Sequence, residues 1–177
     1  MSQSKATSKS EPALVVKGWT IFVHPLFLDQ LVKLIEAVER EKAKDPKQYR
    51  QGANAKVLAA IVKLALDDIP ADPTDPRFRQ GDTLGENHEH WFRAKFGGGR
   101  FRLFFRFSSN AKIIVLAWVN DDKTLRTYGS KTDAYRVFKK MLDAGNPPDS
   151  WKALLAAAKH PAAVERTTKA LNRAKHT

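Results

Sequence analysis

The sequence predicts an α+β domain, on three observations. Residues 26–44 and 48–68 place apolar side chains at the helical period. Residues 91–96, 100–107 and 112–119 switch to a period of two, in three segments joined by short turns. Residues 131–142 and 149–159 return to the helical period. A small, mostly antiparallel sheet with a helical hairpin on one face and C-terminal helices accommodates all three.

Taken in order, residues 1–12 are rich in Ser, Lys and Gln and read as a disordered tail. Lys17 to His24 is a short strand, ended by Pro25, which also opens the first helix. Phe27, Leu31, Leu34, Ile35 and Val38 form that helix's inner stripe, and Asp45-Pro46 breaks it. Ala55, Leu58, Ala59, Val62 and Leu66 carry the second helix. Ile69 to Asn87 is a long, Pro- and Gly-punctuated loop, either functional or clamped by Phe78 and Leu84. Ser130 and Asp133 make a capping box for the helix at 131–142, and Asp149 caps the next one. The fold proper covers residues 13–160; residues 161–177 form a basic extension with a weak helical period.

The three strands form a meander, so neighbours are antiparallel. In Arg100 to Phe107 the odd positions are all apolar and the even ones are Arg100, Arg102, Phe104 and Arg106. In Trp91 to Phe96 the inner set is Phe92, Ala94 and Phe96. Both inner faces agree only if opposed residue numbers sum to 195 or 197. Either register gathers Arg93, Lys95, Arg100, Arg102 and Arg106 on one sheet face without an acid among them.

Composition excludes several classes of protein. There is no cysteine in the 177 residues, hence no disulfide scaffold, thiolate metal site or cysteine nucleophile. The longest clear apolar run, Ile113 to Val119, is far shorter than the roughly 18 residues of a membrane span. A cytoplasmic protein without membrane association is the expectation. The net charge of +12 is local: residues 1–90 are balanced, while residues 91–140 hold 12 basic and 3 acidic groups. A basic stretch inside folded sequence points to a polyanion, chiefly nucleic acid; a solubilising surface is the alternative.

The residues on this face suit RNA chemistry. Arginine forks match the oxygens of a phosphorane, which assigns Arg100, Arg102 and Arg106 to charge stabilisation. Lys95 is the candidate base, because cations beside a lysine favour its neutral form. Arg93 and Lys131 add phosphate contacts, and the interleaved Trp91 and Phe104 offer planes for bases. Arg126 and Tyr128, in the turn after the third strand of the meander, supply stacking or a proton. His24 is an acid–base group or a structural strand-end histidine. His88 and His90, beside Glu86 and Glu89, read as solvent-facing, so neither a metal nor another cofactor is expected. A non-catalytic RNA- or ribosome-binding module, or a protein that docks an acidic partner on the same face, would share these features; turnover and salt-sensitive RNA affinity separate them.

Four stretches carry a family resemblance: Gly18-Trp19 with His24-Pro25; Asp75-Pro76 with Phe78-Arg79 and Gly81; Arg93-Ala94-Lys95-Phe96-Gly97 through Arg106; and Trp118-Val119-Asn120-Asp121 through Tyr128-Gly129, then Lys131-Thr132-Asp133-Ala134-Tyr135. In these the chain resembles the YhaV family of bacterial toxins, within the wider RelE-like group. The resemblance covers roughly residues 15–155 and implies a RelE-like fold and a ribosome-associated mRNA endonuclease. It further implies an antitoxin of the PrlF type, and binding of operator DNA only through the toxin–antitoxin complex.

Overall fold

The computed structural model describes residues 13–177; the expected tail at 1–12 lies outside the described residues. Five strands form one sheet in the order β1-β2-β5-β4-β3. They are β1 (Leu14–Val16), β2 (Trp19–Val23), β3 (Phe92–Phe96), β4 (Phe101–Ser108) and β5 (Ile113–Val119). Only β2 and β5 pair in parallel; the other neighbours are antiparallel, as a meander requires. β1 is an addition to the sequence reading. It folds back on β2 through Lys17 and Gly18, both at positive φ, in a two-residue turn.

β3 and β4 pair in the 197 register, with Lys95 opposite Arg102 and Arg93 opposite Phe104. Between β4 and β5 a bulge falls at Ala117, since Phe104 pairs with Trp118 and Phe105 with Leu116. The extra residue lets Ala117 and Trp118 point to one face in succession and returns Val119 to the other.

The first face carries the larger core. α1 (Pro25–Lys44) and α2 (Ala53–Lys63) form the expected hairpin, and α2 runs on through a π turn (Leu64–Asp68) into the short α3 (Ile69–Ala71). Phe27, Leu28, Leu31 and Ile35 of α1 and Leu58 and Ile61 of α2 meet Ile21, Leu103, Phe105 and Leu116 of the sheet. α6 (Pro161–Lys175) joins this layer through Ala163, Ala170, Leu171 and Ala174. Two exposed ion pairs, Arg166–Asp29 and Arg173–Glu39, tie its outer side to α1.

The second face is a core as well. α4 (Ala134–Asp143) and α5 (Trp151–Lys159) lie across it. Phe138 stacks on Phe104 at 4.2 Å and on Trp118 at 5.5 Å, and its ring edge meets Trp91 at 5.1 Å. Leu142, Leu154 and Ala158 complete the layer. The caps differ from the expected ones. Asp133 is the N-cap of α4, its carboxylate accepting from Tyr135 N, while Ser130 bonds to Thr132. Ser150 caps α5, which frees the Asp149 side chain for another role. The long loop is clamped as one alternative had it: Phe78 and Leu84 are buried, and the Gln80 amide bonds Leu84 N and His88 O. Among the described residues no helix is long and apolar enough to cross a membrane.

Candidate active site

Three guanidinium groups converge on the first turn of α4. Arg93 and Arg102 project from adjacent strands onto the second face, and both donate Nε–H to the hydroxyl oxygen of Tyr135, at 2.9 and 3.1 Å. Arg93 Nη1 also donates to Arg77 O, and Arg102 Nη1 to Gly99 O and Phe101 O. Gly97, Gly98 and Gly99 all have positive φ, so the hairpin turn curls its carbonyls within reach of Arg102. Arg126 lies over the same Tyr135 ring, 4.7 Å from its centroid, and 3.7 Å from the centroid of Tyr128.

The acids around this group are used up. Asp133 accepts from Arg126 Nη1 and Thr127 N, each at 2.6 Å, as well as capping α4. Burial opposes the charge on Arg126, but its hydrogen bond to Asp133, the Asp133 charge and the two tyrosines outweigh it and hold the guanidinium above its ordinary pKa. Arg93 and Arg102, only 9% and 5% exposed, have no carboxylate partner among the described residues. Every fully enclosed polar side-chain atom among them has a hydrogen-bond partner, and the Nη2 of each arginine has none, so both Nη2 groups reach solvent. A buried cation without a counter-ion is costly. Here the cost is offset by carbonyl and phenol acceptors, which leave the positive charge uncancelled and available to an anion.

Around the two buried arginines stand exposed groups. Lys95 lies opposite Arg102 in the ladder, and Arg100 and Lys131 are also exposed. Tyr128 is 84% exposed with its ring against Arg126. Asn120 locks this edge: its Oδ1 accepts from Arg102 N at 2.6 Å, and its Nδ2 donates to Arg100 O and Thr124 O. The structure thus brings together Arg93, Arg102, Arg126 and Tyr128, with Lys95 opposite Arg102 in the ladder and Lys131 on the segment leading into α4. Arg100 stands at the hairpin turn, its Nε donating to Gly97 O, and borders a cavity it shares with Gln51, Lys56 and Val57.

Four expectations need correction. The predicted row of solvated cations does not exist as such: α4 covers Arg93 and Arg102. Trp91 and Phe104 cannot stack on bases, because both are fully buried beneath Phe138. Arg106 is set apart from the others, between Trp91 and Trp151 at 5.7 and 5.4 Å, with Nη1 donating to Asp149 O at 2.6 Å. Burial lowers its pKa, and Asp149 counters that only in part. His88 is buried, not solvent-facing, and meets Asp149. His24 is the N-cap of α1, its Nδ1 accepting from Leu26 N at 3.1 Å. Sequence reasoning missed Tyr135. Its signal was present: it is the one aromatic residue in the first turn of a helix that follows directly on the basic turn.

Residues 21–159 match the family model for YhaV, described as a toxin with endonuclease activity, of a toxin–antitoxin system. The chain belongs to this family. Two relatives from Escherichia coli, the "Ribonuclease toxin YhaV" of strain K12 and the "Toxin YhaV" of strain O6:H1, are each 48% identical to it over 140 residues. That stretch is 78% of this chain and 91% of each relative. No solved structure matches the chain. The YhaV family's endonuclease activity requires a surface that holds a phosphodiester. α6 lies beyond the matched residues and buries its apolar side in the first-face core.

Proposed function

We propose that this toxin is an endoribonuclease that cleaves mRNA on the translating ribosome and so stops translation and growth. The observation that carries the reading is the pair of buried arginines held by one phenol and by carbonyls, with solvent-reaching Nη2 groups and no acid to neutralise them. Such a pair grips a phosphate through charge-assisted hydrogen bonds. The name of the K12 relative, a ribonuclease toxin, supports RNA as the substrate.

The chemistry follows from the groups at the rim. Lys95 accepts the proton of the substrate's 2′-OH, and the 2′-oxygen attacks phosphorus. The bond from phosphorus to the 5′-oxygen breaks, and Tyr128 returns a proton to that oxygen. The Nη2 groups of Arg93 and Arg102, together with Arg100 and Arg126, hold the charge that grows on the phosphorane. Lys131 binds a neighbouring phosphate. The products are a 2′,3′-cyclic phosphate and a 5′-OH, and no metal enters the chemical step. Arg106, Trp91 and Phe104 support this site from the core and do not touch RNA.

The partner is an antitoxin of the PrlF type, whose complex with the toxin binds operator DNA; an acidic segment covering Lys95, Arg100 and Lys131 would block the site. The test is expression in growing bacteria with primer extension on cellular mRNAs. Discrete new 5′ ends that vanish with Arg126→Ala are expected. Binding of RNA without new ends would replace this reading with a non-catalytic module.

A further inference from the structure

A second polar cluster lies where the segment before β3 meets the α4–α5 linker. Asp149 Oδ1 faces three ring nitrogens: His88 Nδ1 at 2.9 Å, His90 Nε2 at 2.9 Å and Trp91 Nε1 at 2.8 Å. The indole can only donate, so it takes one of that oxygen's two lone pairs, and two imidazoles share the other. The far side of His88 adds a conflict. Its Nε2 stands 3.6 Å from Asp143 Oδ1. A neutral His88 that donates from Nδ1 turns a bare Nε2 lone pair toward a carboxylate. Glu86 and Glu89 flank the two histidines in sequence, Asp149 O accepts from Arg106, and Asp143 pairs with Lys139 in a cavity that Lys131, Arg136 and Lys140 also line.

We propose that His88 Nδ1, His90 Nε2 and an Asp149 carboxylate oxygen bind one divalent transition-metal ion of the zinc class. Their donor atoms all lie within 4.8 Å of one another, and two imidazoles with a carboxylate are a ligand set such an ion accepts. The ion removes both difficulties at once. It takes the Nδ1 lone pair of His88, which moves the ring proton to Nε2, where it points at Asp143. A metal-bound histidine that donates its other N–H to a carboxylate is the usual supporting arrangement. The Trp91 N–H fixes Asp149 in the same manner. His88 is buried and His90 half-buried, so water completes the coordination from the His90 side.

The site is separate from the phosphate-binding cluster. Asp143 follows Tyr135 by eight residues on α4, about 12 Å at 1.5 Å per residue. The ion is therefore structural: it pins the segment at 86–90 to the linker that carries α5, and does not act on RNA. This inference stands whether or not the proposed cleavage chemistry is right.

The experiment uses untagged full-length protein, stripped with a chelator and titrated with Zn²⁺ against a chromophoric competitor, then with Co²⁺ followed by absorbance. One equivalent is expected to bind, with visible cobalt bands of a four-coordinate N/O site. The melting temperature should rise with zinc concentration above the dissociation constant. His90→Ala, at a half-buried position that does not threaten folding, should lower affinity at least about 100-fold. Asp143→Asn should lower it about 10- to 100-fold. Absence of stoichiometric binding overturns the proposal. So does unchanged affinity in both variants, which would place the ion on the exposed His160 or His176.

Discussion

Arg93 and Arg102 donate to the same oxygen, the hydroxyl of Tyr135, from two adjacent strands. One phenol from α4 thus orients two guanidiniums of the sheet. Tyr135→Phe removes only that oxygen. Hydrogen bonds to charged groups contribute about 1.5–3 kcal/mol, and the variant leaves two charged donors without their acceptor. Urea unfolding should show a loss of about 2–3 kcal/mol, and cleavage should fall further because both forks lose their aim. An unchanged midpoint would show that the phenol does not hold the pair.

Lys95 and Arg102 are partners in the β3–β4 ladder, yet their environments differ, and this gives a paired test. Lys95→Ala changes an exposed side chain and should alter stability within about 0.5 kcal/mol while abolishing cleavage. Arg102→Ala removes a buried group with three acceptors and should cost about 2–4 kcal/mol as well as activity. Equal stability losses in the two variants would contradict the burial difference.

The parity of the β3–β4 register was legible because side chains alternate strictly and only one parity brings both apolar inner faces together; the choice of 197 over 195 was not. The parity argument also placed Arg93, Arg102 and Arg106 on the face of Trp91 and Phe104. What alternation does not convey is what lies on top. Two large aromatics among the cations mark a second core, and the Tyr135, Phe138 and Leu142 stripe of α4 is its complement; matching the two requires knowing where a turn returns the chain. The histidine cluster was illegible for a related reason. Asp149 sits about 60 residues from His88 and His90, and reads locally as a helix cap. Only the packing of α5 against the sheet brings it to them.

Acid should destabilise the protein through His24. Burial lowers its pKa below the ordinary value near 6.5, and its Nδ1 must stay unprotonated to cap α1. Between the folded and unfolded values the unfolded chain holds more protons, so stability rises with pH there. This contribution is complete above about pH 6.5. It is lost as pH falls below that, by at most about 1.4 kcal/mol per pH unit. His24→Asn keeps an acceptor at the cap without a titrating group. Melting temperatures from pH 7 to 5 should fall less steeply in the variant, and parallel curves would remove His24 from the acid response.

In the proposed mechanism the nucleophile belongs to the RNA, which permits a test that leaves the protein unchanged. Replacing the 2′-OH by hydrogen at the cleaved position deletes the proposed attacking oxygen but leaves every phosphate available to Arg93, Arg102 and Arg126. Affinity should therefore hold within a few-fold while cleavage stops. Arg126→Ala gives the complementary result. It removes a donor proposed to strengthen its bond as charge develops on the phosphorane, and losing one such donor costs about 3–4 kcal/mol, or about 10²- to 10³-fold in rate. Asp133 then loses its cation but keeps the Thr127 and Tyr135 N–H groups, so stability should fall while the fold persists. Single-turnover cleavage of matched all-ribo and single-deoxy oligonucleotides, with ribosomes present, measures both effects. Cutting of the deoxy substrate would exclude 2′-OH attack and require an activated water.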